Sequence, residues 1–128
     1  MNTASQIDTT VLIVGGGPVG MTMALCLAKR GIASYLVELR SAETLPDVKC
    51  NHISSRSMEL FRSLGISQDL RAAGLPDDYP HDVSYRTTTL GEEIARIHIP
   101  GRNTRLTDHS GPDGNWPTPE PPHRLNQR

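Results

Sequence analysis

Three glycines spaced Gly15-x-Gly17-x-x-Gly20 and one carboxylate, Glu38, are the residues of this 128-residue chain whose types and spacing suit them best to chemistry. Such a glycine cluster lets the backbone turn sharply. It also lets an anion approach main-chain N–H groups that a Cβ would shield. By itself the spacing fits a tight turn as well as a phosphate cradle. Glu38 lies 18 residues beyond Gly20. An acid at that distance can accept both hydroxyls of an adenosine ribose, and it repels a 2′-phosphate, so FAD or NAD is favoured over NADP.

That chemistry needs a strand, a helix and a second strand to position it, and the sequence supplies all three. Val11-Leu12-Ile13-Val14 is a short apolar run of the kind expected of a parallel strand covered on both faces. Pro18 follows the glycines where a first helical turn tolerates a missing N–H. Residues 18–30 then read as a helix with Gly20, Ala24, Leu27 and Ala28 on one mostly small face. Lys29 and Arg30 sit in its last turn, and Gly31 is placed to end it. Residues 33–37 form the second strand, with Glu38 at its C-terminal end. In this β-α-β setting Gly15 makes the turn, Gly17 admits the diphosphate and Gly20 brings helix and strand close together.

The next stretch, SAETLPDVKCNHISSRSMELFRSLGI over residues 41–66, contains a second helix. Ser54 or Ser55 caps it, Met58, Phe61 and Leu64 form its apolar face, and Gly65 ends it with Ile66 folding back. Lys49 and Arg56 flank its start. Further on, Val83, Tyr85, Thr87 and Thr89 alternate, as do Ala95, Ile97 and Ile99, with LGEE between them as a hairpin turn.

In VLIVGGGPVGMTMALCLAKRGI, in the strand-end VELR, in NHISSRSMELFRSLGI and in the terminal PHRLNQR, the chain resembles the class A flavin-dependent aromatic hydroxylases, the family of p-hydroxybenzoate and phenol hydroxylases. The resemblance implies an FAD-binding Rossmann-type α/β fold with NAD(P)H as reductant and a small aromatic substrate. It places Gly15, Gly17, Pro18, Val19 and Gly20 at the FAD diphosphate and Glu38 at the adenosine ribose. Arg40 is implied near the cofactor. Lys49 stands where most members have arginine and would act as a point charge without the bidentate fork. Arg56 matches the arginine of the helix-opening segment. Gln127 resembles a glutamine near the start of a later helix that reaches the diphosphate or ribityl chain, with Arg124 a lesser candidate. The hairpin corresponds to the start of a substrate-covering region.

The resemblance also implies what is missing. No Gly-Asp pair occurs in the chain, and Asp113-Gly114 lies in a proline-rich loop that reads as a turn. The sheet is expected to be incomplete, with residues 1–75 as the β-α-β FAD-binding part. Residues 76–128 are the hairpin and a Pro/Gly-rich loop leading to a truncated helix. The chain then reads as an N-terminal fragment, inactive alone, with its catalytic residues elsewhere. An NAD-dependent oxidoreductase domain and an inactive nucleotide-binding remnant are the alternatives.

Composition fits this. A net charge of −1 argues against a nucleic-acid partner. No apolar run approaches the roughly 20 residues that span a bilayer. MNTASQIDTT has no secretory pattern, so a cytoplasmic protein is expected. Residues 100–122 contain six prolines and three glycines, with little to pack. Cys26 reads as a small buried thiol, Asp77-Asp78 as a solvated loop, and the five histidines show no metal spacing. The sequence leaves the oligomeric state open.

Overall fold

A computed structural model describes residues 8–45, 51–111 and 118–126. The chain divides into two compact units, Met1–Asp47 and Val48–Arg128. The boundary between residues 75 and 76 falls inside the second.

In the first unit, β1 (Val11–Val14), α1 (Pro18–Lys29) and β2 (Ser34–Val37) form the β-α-β turn. The strands pair in parallel, Val11 opposite Ser34 through Val14 opposite Val37. Helix α1 begins with Gly17 as its cap (φ −72°, ψ 178°) and Pro18 in its first turn. It stops because Gly31 takes the left-handed conformation (φ +71°), which aims the N–H groups of Gly31 and Ile32 at the Ala28 and Leu27 carbonyls. A Cβ on Gly20 would collide with the Gly15 carbonyl oxygen and touch Ile13, so helix and strand approach as closely as the third glycine allows. Ile13 therefore faces α1. The opposite sheet face, Leu12, Val14, Tyr35 and Val37, lies open, from 48% exposed at Val37 to 81% at Val14. The run 11–14 has the composition of a strand covered on both faces, and among the described residues of this unit α1 covers one of them. Cys26, expected to be buried, is half-buried.

In the second unit, β3 (His52–Ile53) leads into α2 (Ser55–Leu64) and α3 (Ser67–Ala73). Ser54 caps α2 by accepting the Ser57 N–H at 3.3 Å. Gly65 (φ +86°) ends it, the N–H groups of Gly65 and Ile66 bonding to the Arg62 and Phe61 carbonyls. Met58 is fully buried, the one fully buried hydrophobic side chain among the described residues. Strands β4 (Val83–Arg86) and β5 (Glu93–Ile97) pair antiparallel, with an irregularity at Tyr85/Arg86. Strand β6 (His123–Arg124) pairs antiparallel with β3. Residues preceding the expected terminal helix are thus strand and coil as far as Asn126, because Pro121-Pro122 keep the backbone extended where it meets β3.

Candidate functional site

The glycine loop and the strand-end acid are one structure. Gly15 turns the chain with φ +110° and donates its N–H to the Val37 carbonyl at 2.8 Å, tying the loop to the end of β2. The next N–H, of Gly16, donates to Oε2 of Glu38 at 2.6 Å. The other carboxylate oxygen, Oε1, accepts the Arg40 backbone N–H at 3.0 Å and its Nε at 3.1 Å. The Arg40 backbone, the Gly16 backbone and the Arg40 side chain hold the Glu38 carboxyl down to about 2, so it is ionised at any ordinary pH.

The residues at the start of α1 fit a diphosphate. A Cβ on Gly17 would meet nothing within 4 Å, so the space in front of the helix is open. Helix geometry leaves the first-turn N–H groups, those of Val19 and Gly20 among them, without an intrahelical acceptor. No side chain caps this end and no acid occupies its first turn, which leaves the helix N–H groups to an anion, while the Glu38 carboxylate is held on the N–H of Gly16. Gly15, Gly17, Pro18, Val19, Gly20, Glu38 and Arg40 are all brought together in this unit.

The remaining candidates are not. Arg56 stands on α2 in the second unit, its side chain 91% exposed and 3.3 Å from Glu59. Arg124, in β6, donates to the Asn51 side chain at 3.4 Å and to the His81 carbonyl at 3.3 Å. Lys49 and Gln127 lie outside the described residues, as do Cys50 and Asp113-Gly114. Sequence reasoning missed Gly16, whose signal was only a third adjacent glycine. It also read Asp77 as merely solvated, whereas its carboxylate takes the Arg102 guanidinium.

A β-α-β unit with this glycine loop and an acid at the end of its second strand has the architecture of a dinucleotide-binding fold. A family model described as "FAD binding domain" matches residues 8–119, and the chain belongs to that family. It is 46% identical over 80 residues to the FAD-dependent monooxygenase apdD of Emericella nidulans, covering 62% of this chain and 13% of the relative. To the 2,4-dichlorophenol 6-monooxygenase of Cupriavidus pinatubonensis it is 31% identical over 102 residues, 80% of this chain and 17% of the relative. To the phenol 2-monooxygenase of a Pseudomonas species it is 32% identical, covering 74% of this chain and 16% of that one. Among solved structures, K252c-soaked RebC superposes with a TM-score of 0.78 at 39% identity, covering 99% of this chain and 23% of RebC. The flavin-dependent monooxygenase PieE, solved with FAD and substrate, gives 0.73 at 32% identity, covering 93% of this chain and 20% of PieE. The chain thus spans 13–17% of the length of these three curated relatives.

Proposed function

We propose that this chain is the FAD-binding part of a longer NAD(P)H-dependent flavoprotein monooxygenase that hydroxylates a small aromatic, phenolic substrate. The observation that carries it is the joined glycine loop and Glu38, seated in a chain whose relatives are FAD-dependent and phenol monooxygenases. When bound, FAD would supply the redox chemistry of hydroxylation, with NAD(P)H as the reductant.

The chain's own residues bind and orient. The N–H groups of Gly17, Val19 and Gly20 take the diphosphate, with Pro18 opening the helix and Gly15 setting the turn. Glu38 takes the adenosine ribose, its orientation fixed from one side by Gly16 and from the other by Arg40. Lys49, Arg56 and Gln127 are the further cofactor contacts of the longer protein, and β4 with β5 begins its substrate-covering region. Residues 1–75 carry the cofactor role and 76–128 the link to the substrate side. A cytoplasmic location accompanies this role. No helix among the described residues is long and apolar enough to cross a membrane.

The test is the visible spectrum of the purified chain after incubation with FAD and desalting. Retained flavin bands in amounts approaching one per chain, lost on competition with ADP but not with FMN, are expected. A colourless, folded chain that binds NAD instead would overturn the assignment.

A further inference from the structure

Two histidines of the second unit stand in opposite electrostatic settings and hold the same segment. His98 follows β5 with both ring nitrogens on carboxylates: Nδ1 lies 3.1 Å from Oδ1 of Asp82, and Nε2 3.1 Å from Oδ2 of Asp108. A neutral imidazole has one N–H, so one of those contacts would set a lone pair against a carboxylate. Only the imidazolium donates to both. Asp82 is fixed in turn by Arg96 at 2.9 Å and by the Ile99 N–H, and Asp108 by the Ser110 N–H and hydroxyl.

His123 demands the reverse. Its Nε2 is 2.9 Å from the Leu70 carbonyl and donates to it, while Nδ1 is 2.9 Å from an Arg102 nitrogen that can only donate. The ring must therefore be neutral, protonated at Nε2. It is 1% exposed, and Gly74 makes room for it, since a Cβ there would collide with Nε2. The charged groups around it are Arg102, itself paired with Asp77, and Arg71, which donates to Glu120 at 2.5 Å.

Both contacts fasten the segment running from His98 to Asp108. Asp108 anchors its far end to His98, and Arg102 anchors its middle to β6. We infer that residues 98–108 form a clasp with a pH window, fully closed only while His98 carries its extra proton and His123 does not.

The signs agree with the geometry. The Asp108 carboxylate and then Asp82 raise His98 above its ordinary value, so its contribution is complete below that value and is lost as pH rises through the raised one. Burial, opposed by the Leu70 carbonyl and reinforced by Arg102 and Arg71, lowers His123, so its contribution is complete above the ordinary value and is lost as pH falls through the lowered one. The clasp opens at its Asp108 end in alkali and at its Arg102 anchor in acid. It does not depend on the flavin assignment.

Hydrogen-exchange mass spectrometry of the full 128-residue chain, read on peptides spanning 98–110 from about pH 5 to about pH 9 and corrected for intrinsic rates, tests this. Protection should peak between the limbs and fall about tenfold on either side, the scale of one charge-assisted hydrogen bond. Asp108→Asn, at a partly exposed position, should remove the alkaline limb and leave the acid one. A nitrogen-15 imidazole titration of the unaltered chain should show His98 losing its proton at higher pH than a free imidazole and His123 gaining a second proton only at lower pH, with its single proton on Nε2. Flat protection, no protection at any pH, an alkaline limb that survives Asp108→Asn, or a His98 that titrates no higher than a free imidazole would each overturn the clasp.

Discussion

The three fingerprint glycines are separable by what a side chain would strike at each. At Gly17 an added Cβ points into open space, whereas at Gly20 it runs into the Gly15 carbonyl. Gly17→Val should therefore cost no more than about 1 kcal/mol, the loss of a preferred cap residue, while abolishing FAD retention by filling the diphosphate's space. Gly20→Ala should lower stability before any ligand is added, because helix and strand must move apart. Equal loss of stability in both variants would show that the cradle is misassigned. On the proposed reading the Glu38 carboxylate meets the adenosine ribose, so Glu38→Ala should weaken FAD binding roughly tenfold or more while the fold remains. The Gly16 and Arg40 bonds depress its folded value, so its contribution is present above the ordinary carboxylate value and is lost only as pH falls through about 2. FAD titrations at about pH 7 and about pH 5 should consequently agree in the part of affinity that Glu38 controls. The turn at Gly15, Gly17 and Gly20 and the place of Glu38 at the end of β2 were legible in the sequence because their spacing is set within a strand, helix and strand that agree with it. Gly16 was not, because its part depends on where the Glu38 side chain folds back.

At the scale of elements, the signals that held were local ones. Pro18 and Gly31 bracket α1 and Ser54 and Gly65 bracket α2, and each works by closing hydrogen bonds within a few residues of itself. Helix α3 escaped notice because it is seven residues long and Ile66, at its cap, makes no side-chain bond there. The β3–β6 pair escaped for a different reason. It joins His52 to Arg124 and Ile53 to His123, two residues on each side, too short for any alternation to show. Locality also sets the energetics of α2. Ser54→Ala removes the oxygen that accepts the Ser57 N–H and should cost about 1 kcal/mol. Gly65→Ala forces a Cβ into the left-handed region and should cost about 1–2 kcal/mol. Urea unfolding of the two variants and of their combination checks both values. The two ends are a helix length apart with no shared partner, so the losses should add to within about 0.5 kcal/mol. A double variant no worse than either single one would mean that α2 is already frayed in the folded chain.

For the molecule as a whole, the sequence announced a dinucleotide cradle more completely than it announced a core. The run 11–14 reads as a strand buried on both sides, yet Leu12, Val14, Tyr35 and Val37 make a continuous open apolar face, and Met58 is the single hydrophobic side chain fully buried among the described residues. The pattern in 11–14 is that of a strand with neighbours on both faces, and among the described residues of its unit α1 covers one of them. A face of this kind is sticky in water. The isolated chain should therefore bind a hydrophobic dye such as ANS and self-associate as its concentration rises. Val14→Lys, at 81% exposure, should reduce both effects without lowering the melting temperature, since that side chain stands in solvent. In a longer chain that packs a further layer on this face, the same lysine would be buried without a partner and should destabilise the protein severely. Running Val14→Lys in both lengths separates the two environments. Dye binding that is unaffected in the short chain would place the sticky surface elsewhere, and a longer chain that tolerates the lysine would show that this face stays open to water.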